Sequence, residues 1–305
     1  YLFSAPLHLA AIRKIAREKK IDVILSANIL PSFFANWTGK PIVFDYLDHL
    51  EESASIYYPG SIRGAIIHGF TRVITRFNLN HAASIITVSR DFEDYLHGVG
   101  LENITVIPNG VDTGVLSPIP RDVAKQALNL NGKTVIGYIG SLEYWVDLET
   151  AIQALPDLDA TLLIVGPGLF TDYGENLKRL AAACGVTDRV IFIGAVEFRE
   201  LNRYISAMDV GLNPLKPIEK NQLTIGGKVF NYLSCGIPVL SSRMTALERL
   251  FGDDLFYYDD VPSFIERVNE ILSKENQEDY YRSLTMRFDW KNLAKVYESV
   301  LMDAI

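Results

Sequence analysis

The residues best suited to chemistry lie in one stretch, NQLTIGGKVFNYLSCGIPVLSS, residues 221–242. Gly226 and Gly227 permit a tight backbone turn, because glycine tolerates positive φ. From Lys228 the pattern is helical, with Val229, Phe230, Leu233 and Ser234 near one face. Gly236 stops that helix, Pro238 follows, and Val239-Leu240 open a buried strand. Before the stretch, residues 209–213 (DVGLN) read as a strand end and the polar residues 221–224 as a loop. A helix N-terminus presents unpaired N–H groups and partial positive charge, so it suits a phosphate. Lys228 falls in the first helical turn, where a cation works against the helix dipole. Its placement makes sense beside a bound anion. A solvated surface lysine is the alternative; the glycine loop, a recurrent anion cradle, favours the first reading.

Such a loop must be positioned by the elements around it. Along the chain, short apolar runs alternate with amphipathic ones. Residues 6–20 and 62–79 read as helices, and 22–26, 41–44, 84–88 and 103–107 as strands. The segment PNGVDTGVLSPIPRD is rich in proline and glycine and reads as a linker. Strands then recur at 134–139, 161–165, 190–193, 210–213, 239–241 and 255–257, each successive pair separated by a helix. Alternation of this kind implies parallel sheets in an α/β protein of two Rossmann-like domains. The expected division is 1–115, 116–287, and a last helix at 288–305. A Rossmann-like domain normally opens on a strand. The first half opens on a helix and has four strands, so its opening strands are expected to precede residue 1.

Composition narrows the function. A chain of 305 residues with 49% hydrophobic residues can build two cores. A net charge of −8 argues against a nucleic-acid partner. No run of about 18 uncharged apolar residues is present, so no membrane span is expected. The start turns basic after its apolar part, the reverse of a secretory signal. Cys184 and Cys235 fit a reducing cytoplasm as buried free thiols. Five scattered histidines without CxxC or HExxH spacing argue against a zinc site.

Five motifs in order resemble one family. TVSRDFEDYL with VIPNGVDTGVLSP, IGYIGSLEYWVDLETAIQAL, LLIVGPG, RVIFIGAVEFRELNRYISAMDVGLNP and the opening stretch are similar to the GT-B glycosyltransferases of the large retaining family 4 group. The final FDWKNLAKVYESVLMDAI resembles the last helix, which in such folds crosses back to the N-terminal domain. The resemblance implies a metal-independent enzyme with no cofactor. It would move a sugar, with retention, from a UDP- or GDP-linked donor to a saccharide or lipid-linked acceptor. It also implies donor-site roles. Gly140, Ser141, Thr224, Gly226, Gly227 and Lys228 would meet the diphosphate. Gly166, Val196, Glu197, Phe198 and Asn231 would border the base and ribose.

This chain departs from the family pattern in its charges. Two glutamates commonly stand at the positions of Leu223 and Asn231, and neither residue is acidic here. Asn231 can still hydrogen-bond a ribose hydroxyl, without charge assistance. An arginine common after the first donor-domain glycine is replaced by Ser141, and Trp145-Val146 stand near a common lysine position. Phosphate neutralisation must then rest on Lys228, backbone N–H groups and hydroxyls.

In the first domain the best acceptor or sugar contacts are Asp45, Asp48 and His49, in DYLDH directly after a strand, since ligands bind at the carboxyl ends of strands. Asp48 and His49 are the catalytic candidates beside Lys228; helix capping is the plain alternative for the two aspartates. Residues 61–90 carry Arg63, Arg72, Arg76 and Arg90 and no acid. Helix 61–80 reads as core-facing, with peripheral contact to the inner face of a membrane as the alternative. Two other functions stay open. An epimerase of the same fold would need a carboxylate pair. A silent sugar-nucleotide-binding protein would show no donor hydrolysis.

Overall fold

The computed structural model describes residues 5–48, 61–168 and 171–305. The chain divides into two compact units, Tyr1–Pro108 with Asn292–Ile305, and Asn109–Lys291. The expected breaks were at 115/116 and 287/288. Backbone bonds place both segments in the second unit instead: Val111 N–H donates to Phe288 O (3.1 Å) and Trp290 N–H to Val111 O (3.1 Å). The Thr113 N–H adds a bond to Asp289 Oδ2 at 3.2 Å.

Unit 1 is built on four strands, β1 (Ile24–Ser26), β2 (Ile42–Asp45), β3 (Ser84–Thr87) and β4 (Ile104–Val106), parallel and in chain order. In register, Phe44 faces Ile85 and Asp45 faces Ile86. Helices α1 (Ala5–Glu18), α2 (Ile29–Ala35), α3 (Ile62–His81) and α4 (Arg90–Gly98) alternate with them. Ser61 and Ser89 start α3 and α4 by accepting the N–H of Gly64 (2.9 Å) and Phe92 (3.0 Å), which satisfies donors that helix starts leave open.

The core-facing reading of α3 holds only for its last turns. Ile74, Thr75, Asn78 and Leu79 are buried, whereas Ile62, Ile66, Phe70 and Val73 are exposed, Ile62 by 81%. These four recur at helical spacing, so they form one apolar stripe.

Unit 2 holds six parallel strands, β5 (Val135–Ile139), β6 (Thr161–Val165), β7 (Val190–Gly194), β8 (Val210–Asn213), β9 (Val239–Ser242) and β10 (Phe256–Tyr258). Their order is β10-β9-β8-β5-β6-β7, the 3-2-1-4-5-6 order of a Rossmann sheet. The inner strands β5, β6, β8 and β9 are buried throughout, and the edge strands β7 and β10 are partly exposed, the pattern of a parallel sheet covered on both faces. Helices α5 (Arg121–Ala127), α6 (Leu148–Ala154), α7 (Tyr173–Ala183), α8 (Leu201–Ser206), α9 (Glu219–Leu223), α10 (Gly227–Ser234), α11 (Thr245–Phe251), α12 (Val261–Ser273) and α13 (Glu278–Ser283) cover them. Cys235 is buried and Cys184 half-buried, both as free thiols.

The last helix, α14 (Trp290–Asp303), returns to unit 1. There Leu293 and Val300 pack with Val43, Ile86 and Ile107 in one buried cluster. Among the described residues no helix is long and apolar enough to cross a membrane.

Candidate functional site

In a Rossmann order the sheet opens a crevice where the strand direction of winding reverses, here between β5 and β8. Two glycines shape the strand ends beside it. Gly140 follows β5 with φ +141° and Gly166 follows β6 with φ +142°, a backbone that only glycine adopts without strain. Space demands glycine as well. A Cβ on Gly166 would collide with the Gly140 carbonyl, and one on Gly140 would stand 2.8 Å from the Tyr138 hydroxyl. The two loops are tied by Gly140 N–H to Val165 O (3.0 Å) and Gly166 N–H to Gly194 O (2.8 Å). Tyr138 Oη donates to Ser141 O at 2.8 Å, holding the turn from below.

Helix α10 begins at the same crevice. Its N-cap, Gly226, has φ −72°, and neither Gly226 nor Gly227 lies in the left-handed region. The expected turn at positive φ is therefore absent. A Cβ on either glycine would meet nothing within 4 Å, so neither space nor backbone angle requires glycine there. No side chain caps α10, and its first N–H groups are left for a ligand or water. Asn109 Nδ2 donates to Ile225 O at 2.6 Å and fixes the approach. The stretch 221–224, expected as a loop, is partly helical because α9 covers Glu219–Leu223. Asn221 anchors that turn by donating from Nδ2 to Lys216 O (2.7 Å) and Trp145 O (3.0 Å).

These elements enclose a cavity of about 450 Å³. Gly140, Ser141, Gly166, Gly227, Lys228 and Asn231 line one part of it, and Val196, Phe198 and Leu201 another. Thr224 is not in the lining; its hydroxyl donates to Lys220 O at 2.9 Å, so the phosphate role expected for it has no geometric basis. Gly226 acts only as the N-cap behind Gly227. Glu197 is exposed and outside the lining; its carbonyl accepts Glu200 N–H at 2.9 Å.

Lys228 is half-buried, and its ammonium lies 5.0 Å from the Tyr138 ring centroid. Desolvation brings its pKa down to about 8. No carboxylate pairs with it among the described residues. A desolvated, unpaired cation beside a bare helix start is an anion site in waiting. Asn231 stands one turn further along the same helix face. The cavity thus offers charge at one end, an amide in the middle, and an apolar wall of Val196, Phe198 and Leu201. Sequence reasoning missed Tyr138 and Leu201. The signal for Tyr138 was a lone polar ring in the strand VIGYI, two residues before the glycine; Leu201 had none.

In unit 1, Asp45 ends β2 and is 7% exposed. Tyr297 Oη donates to its Oδ2 at 3.1 Å, while Oδ1 is buried without a hydrogen-bond partner among the described residues. Burial pushes this carboxyl up to about 6, against the lowering effect of Tyr297. Asp48 is half-buried beyond the strand end. His49 lies outside the described residues. Among those residues no group of three His, Cys, Asp or Glu is placed to hold a metal ion.

Comparison with known proteins bears on the family. The family described as Glycosyl transferases group 1 matches residues 133–274, and Glycosyltransferase Family 4 matches residues 2–115. A 2-deoxystreptamine glucosyltransferase of Streptomyces kanamyceticus is 28% identical over 197 residues, 61% of this chain and 49% of that protein. A GDP-mannose-dependent alpha-(1-6)-phosphatidylinositol monomannoside mannosyltransferase of Mycolicibacterium smegmatis is 31% identical over 147 residues, 45% of this chain and 37% of that protein. The matched stretch thus spans half or less of these relatives. The crystal structure of Anabaena Alr3699/HepE in complex with UDP superposes with a TM-score of 0.76 at 19% identity, covering 96% of this chain and 81% of the other; at that identity the likeness is one of fold. With two parallel sheets, a Rossmann strand order in unit 2 and both family matches in chain order, the chain belongs to the GT-B glycosyltransferases of group 1 and family 4.

Proposed function

We propose that the protein transfers a sugar from a UDP- or GDP-linked donor to a saccharide or lipid-linked acceptor, with retention and without a metal ion. The observation that carries this reading is the cavity where Lys228, the bare start of α10, and the Gly140 and Gly166 backbone converge. Breaking a sugar–phosphate bond leaves a nucleoside diphosphate with growing negative charge. Preorganised N–H donors and one desolvated cation stabilise that charge, and this electrostatic effect is usually the largest contribution to catalysis. Asn231 would hold a ribose hydroxyl, and the wall of Val196, Phe198 and Leu201 would take the flat base. The bound UDP of the Anabaena neighbour and the GDP-mannose dependence named for the mycobacterial relative both support a nucleotide-sugar donor.

Among the described residues, the lining of this cavity carries no aspartate or glutamate. Asp45 and Asp48 remain the proposed sugar or acceptor contacts, at strand β2's carboxyl end. Peripheral contact with an anionic membrane is part of the proposal, supported by the exposed stripe of α3 and the arginines beside it. Co-sedimentation with phosphatidylglycerol vesicles checks it, and protein left in the supernatant removes it.

A thermal-shift panel of UDP-, GDP- and ADP-sugars tests the donor. One nucleotide series should raise Tm, as any ligand of the folded state must. Lys228→Ala should abolish that shift and cut transfer by roughly two orders of magnitude, the scale of losing one charge-stabilising donor. Transfer within threefold of the parent would remove Lys228 from the site. Anomeric configuration of the product, read by NMR, and activity in the presence of a chelator decide retention and metal independence.

A further inference from the structure

Unit 1 contains a cavity of about 330 Å³ whose lining includes neither Asp45 nor Asp48. It lies between α3 and α4 and is walled by Tyr46, Arg72, Arg76, Tyr95, Leu79 and Val99. Its volume falls within the roughly 300–1,000 Å³ of small-molecule sites.

The charges in this cavity are one-sided. Arg72 and Arg76 are four residues apart on α3 and therefore project from one helix face. One guanidinium nitrogen of Arg76 donates to Val99 O at 2.8 Å, which holds that side chain across the gap to the end of α4. Among the described residues neither arginine has a carboxylate partner, and no acidic residue lines the cavity. Residues 61–90 hold no aspartate or glutamate at all. Helix α3 itself therefore offers these two arginines no acidic partner. Tyr46 directly follows the last residue of β2 and is 1% exposed. Its ring is fixed by stacking on Phe44 (5.5 Å) and by Phe92 (5.1 Å). The cavity therefore has a rigid aromatic wall, two forked cations with geometry suited to phosphate oxygens, and aliphatic sides from Leu79 and Val99.

We propose that this cavity binds a phosphate ester, its anion held between Arg72 and Arg76 and its organic part against Tyr46 and Tyr95. The inference rests on the transferase reading in one respect only: if unit 1 serves the acceptor, the acceptor or its anchor carries a phosphate. Two sources share that chemistry, a soluble sugar phosphate and a phospholipid headgroup. The arginines flank the exposed stripe Ile62, Ile66 and Val73 on the same helix, so both can reach the site.

Calorimetric titration of the protein with glucose 1-phosphate, glucose and inorganic phosphate reads the first source. Flotation with phosphatidylglycerol or phosphatidylcholine vesicles reads the second. Each is repeated with Arg72→Ala and Arg72→Lys. The expected result is binding of at least one phosphate ester but not of glucose or phosphatidylcholine, weakened at least tenfold in Arg72→Ala and less in Arg72→Lys, which keeps charge and loses the fork. Arg72-dependent binding of glucose 1-phosphate assigns a soluble ester; Arg72-dependent flotation alone assigns a lipid. Equal behaviour of parent and Arg72→Ala toward every probe, or equal affinity for glucose and glucose 1-phosphate, overturns the proposal. Nucleotide-sugar thermal shifts are run in parallel on both variants. Retained donor shifts with lost phosphate binding support this site, while phosphate binding without any donor shift would remove the transferase reading and leave this site standing.

Discussion

Lys228 and Asn231 together decide how a donor is read. The Lys228 ammonium is desolvated, and its pKa of about 8 lies near neutrality. A diphosphate can bind it only while it is charged. A group whose pKa is lowered in the folded protein loses its proton as pH rises through the lowered value, so donor affinity should hold below pH 8 and fall above it. Bound diphosphate restores the cation, which shifts the fall upward in the complex. Donor KM measured from pH 6.5 to 9.5 should rise steeply above about 8, and Lys228→Arg should flatten the rise. A flat profile in the parent would mean that the lysine never meets the phosphate. Asn231 is neutral where family members carry a glutamate. A neutral hydrogen bond contributes about 0.5–1.5 kcal/mol, so Asn231→Ala should weaken donor binding by roughly threefold to tenfold with little effect on bond breaking. Asn231→Glu should bind at least as well as the parent. Calorimetry that finds no loss in the alanine variant and clear loss in the glutamate variant would place the ribose elsewhere.

At the scale of elements, much was legible and some was not. The ten strands followed from short, mostly apolar runs between helical patterns, because parallel strands covered on both faces read as near-continuous apolar runs. Lys228 was legible for its conflict with the helix dipole, and Gly140 and Gly166 for their places in familiar strand–loop motifs. Gly226 and Gly227 were misread as left-handed turn residues; both have ordinary negative φ at the start of α10. Thr224, expected at the diphosphate, and the loop expected over 221–224 differ from the structure, because a polar run looks the same whether its side chains face a ligand or hold a turn. The β2 end shows a further element-level effect: burial raises the Asp45 carboxyl, and the Tyr297 hydroxyl brought by α14 offsets only part of that. Asp45 has its pKa raised in the folded state, from 3.8 to about 6. The folded protein thus binds more protons than the unfolded chain between those values, and stability falls as pH rises from about 4 to 6. Above pH 6 the full penalty is present. Asp45→Asn should therefore stabilise the protein by about 2 kcal/mol at pH 7.5 and by almost nothing at pH 4. Urea titrations at both values check this; an equal gain at each would detach the effect from ionisation.

At the scale of the whole molecule, unit 2 is one continuous segment and unit 1 is two. Leu293 and Val300, both buried, come from the far end of the chain to pack on Val43, Ile86 and Ile107. Truncating one of them removes transfer energy and leaves a cavity, so Leu293→Ala should cost about 2–4 kcal/mol. Calorimetry should show an earlier unfolding event while nucleotide-sugar binding by unit 2 survives. Loss of both together would mean that the two units melt as one.

The divided character of unit 1 matters before the protein is ever finished. A ribosome releases residues 1–108 first, yet their apolar sheet face gets its last cover only when residues 293–300 emerge. Unit 2 is threaded between them and can close on its own during that interval. For the time taken to translate nearly two hundred residues, Val43, Ile86 and Ile107 are open to whatever meets them. The nascent chain thus exposes this earlier-made segment until α14 emerges, set by connectivity rather than by composition. Placing α14 directly after residue 108 in sequence, not changing the core, would be the way to shorten it.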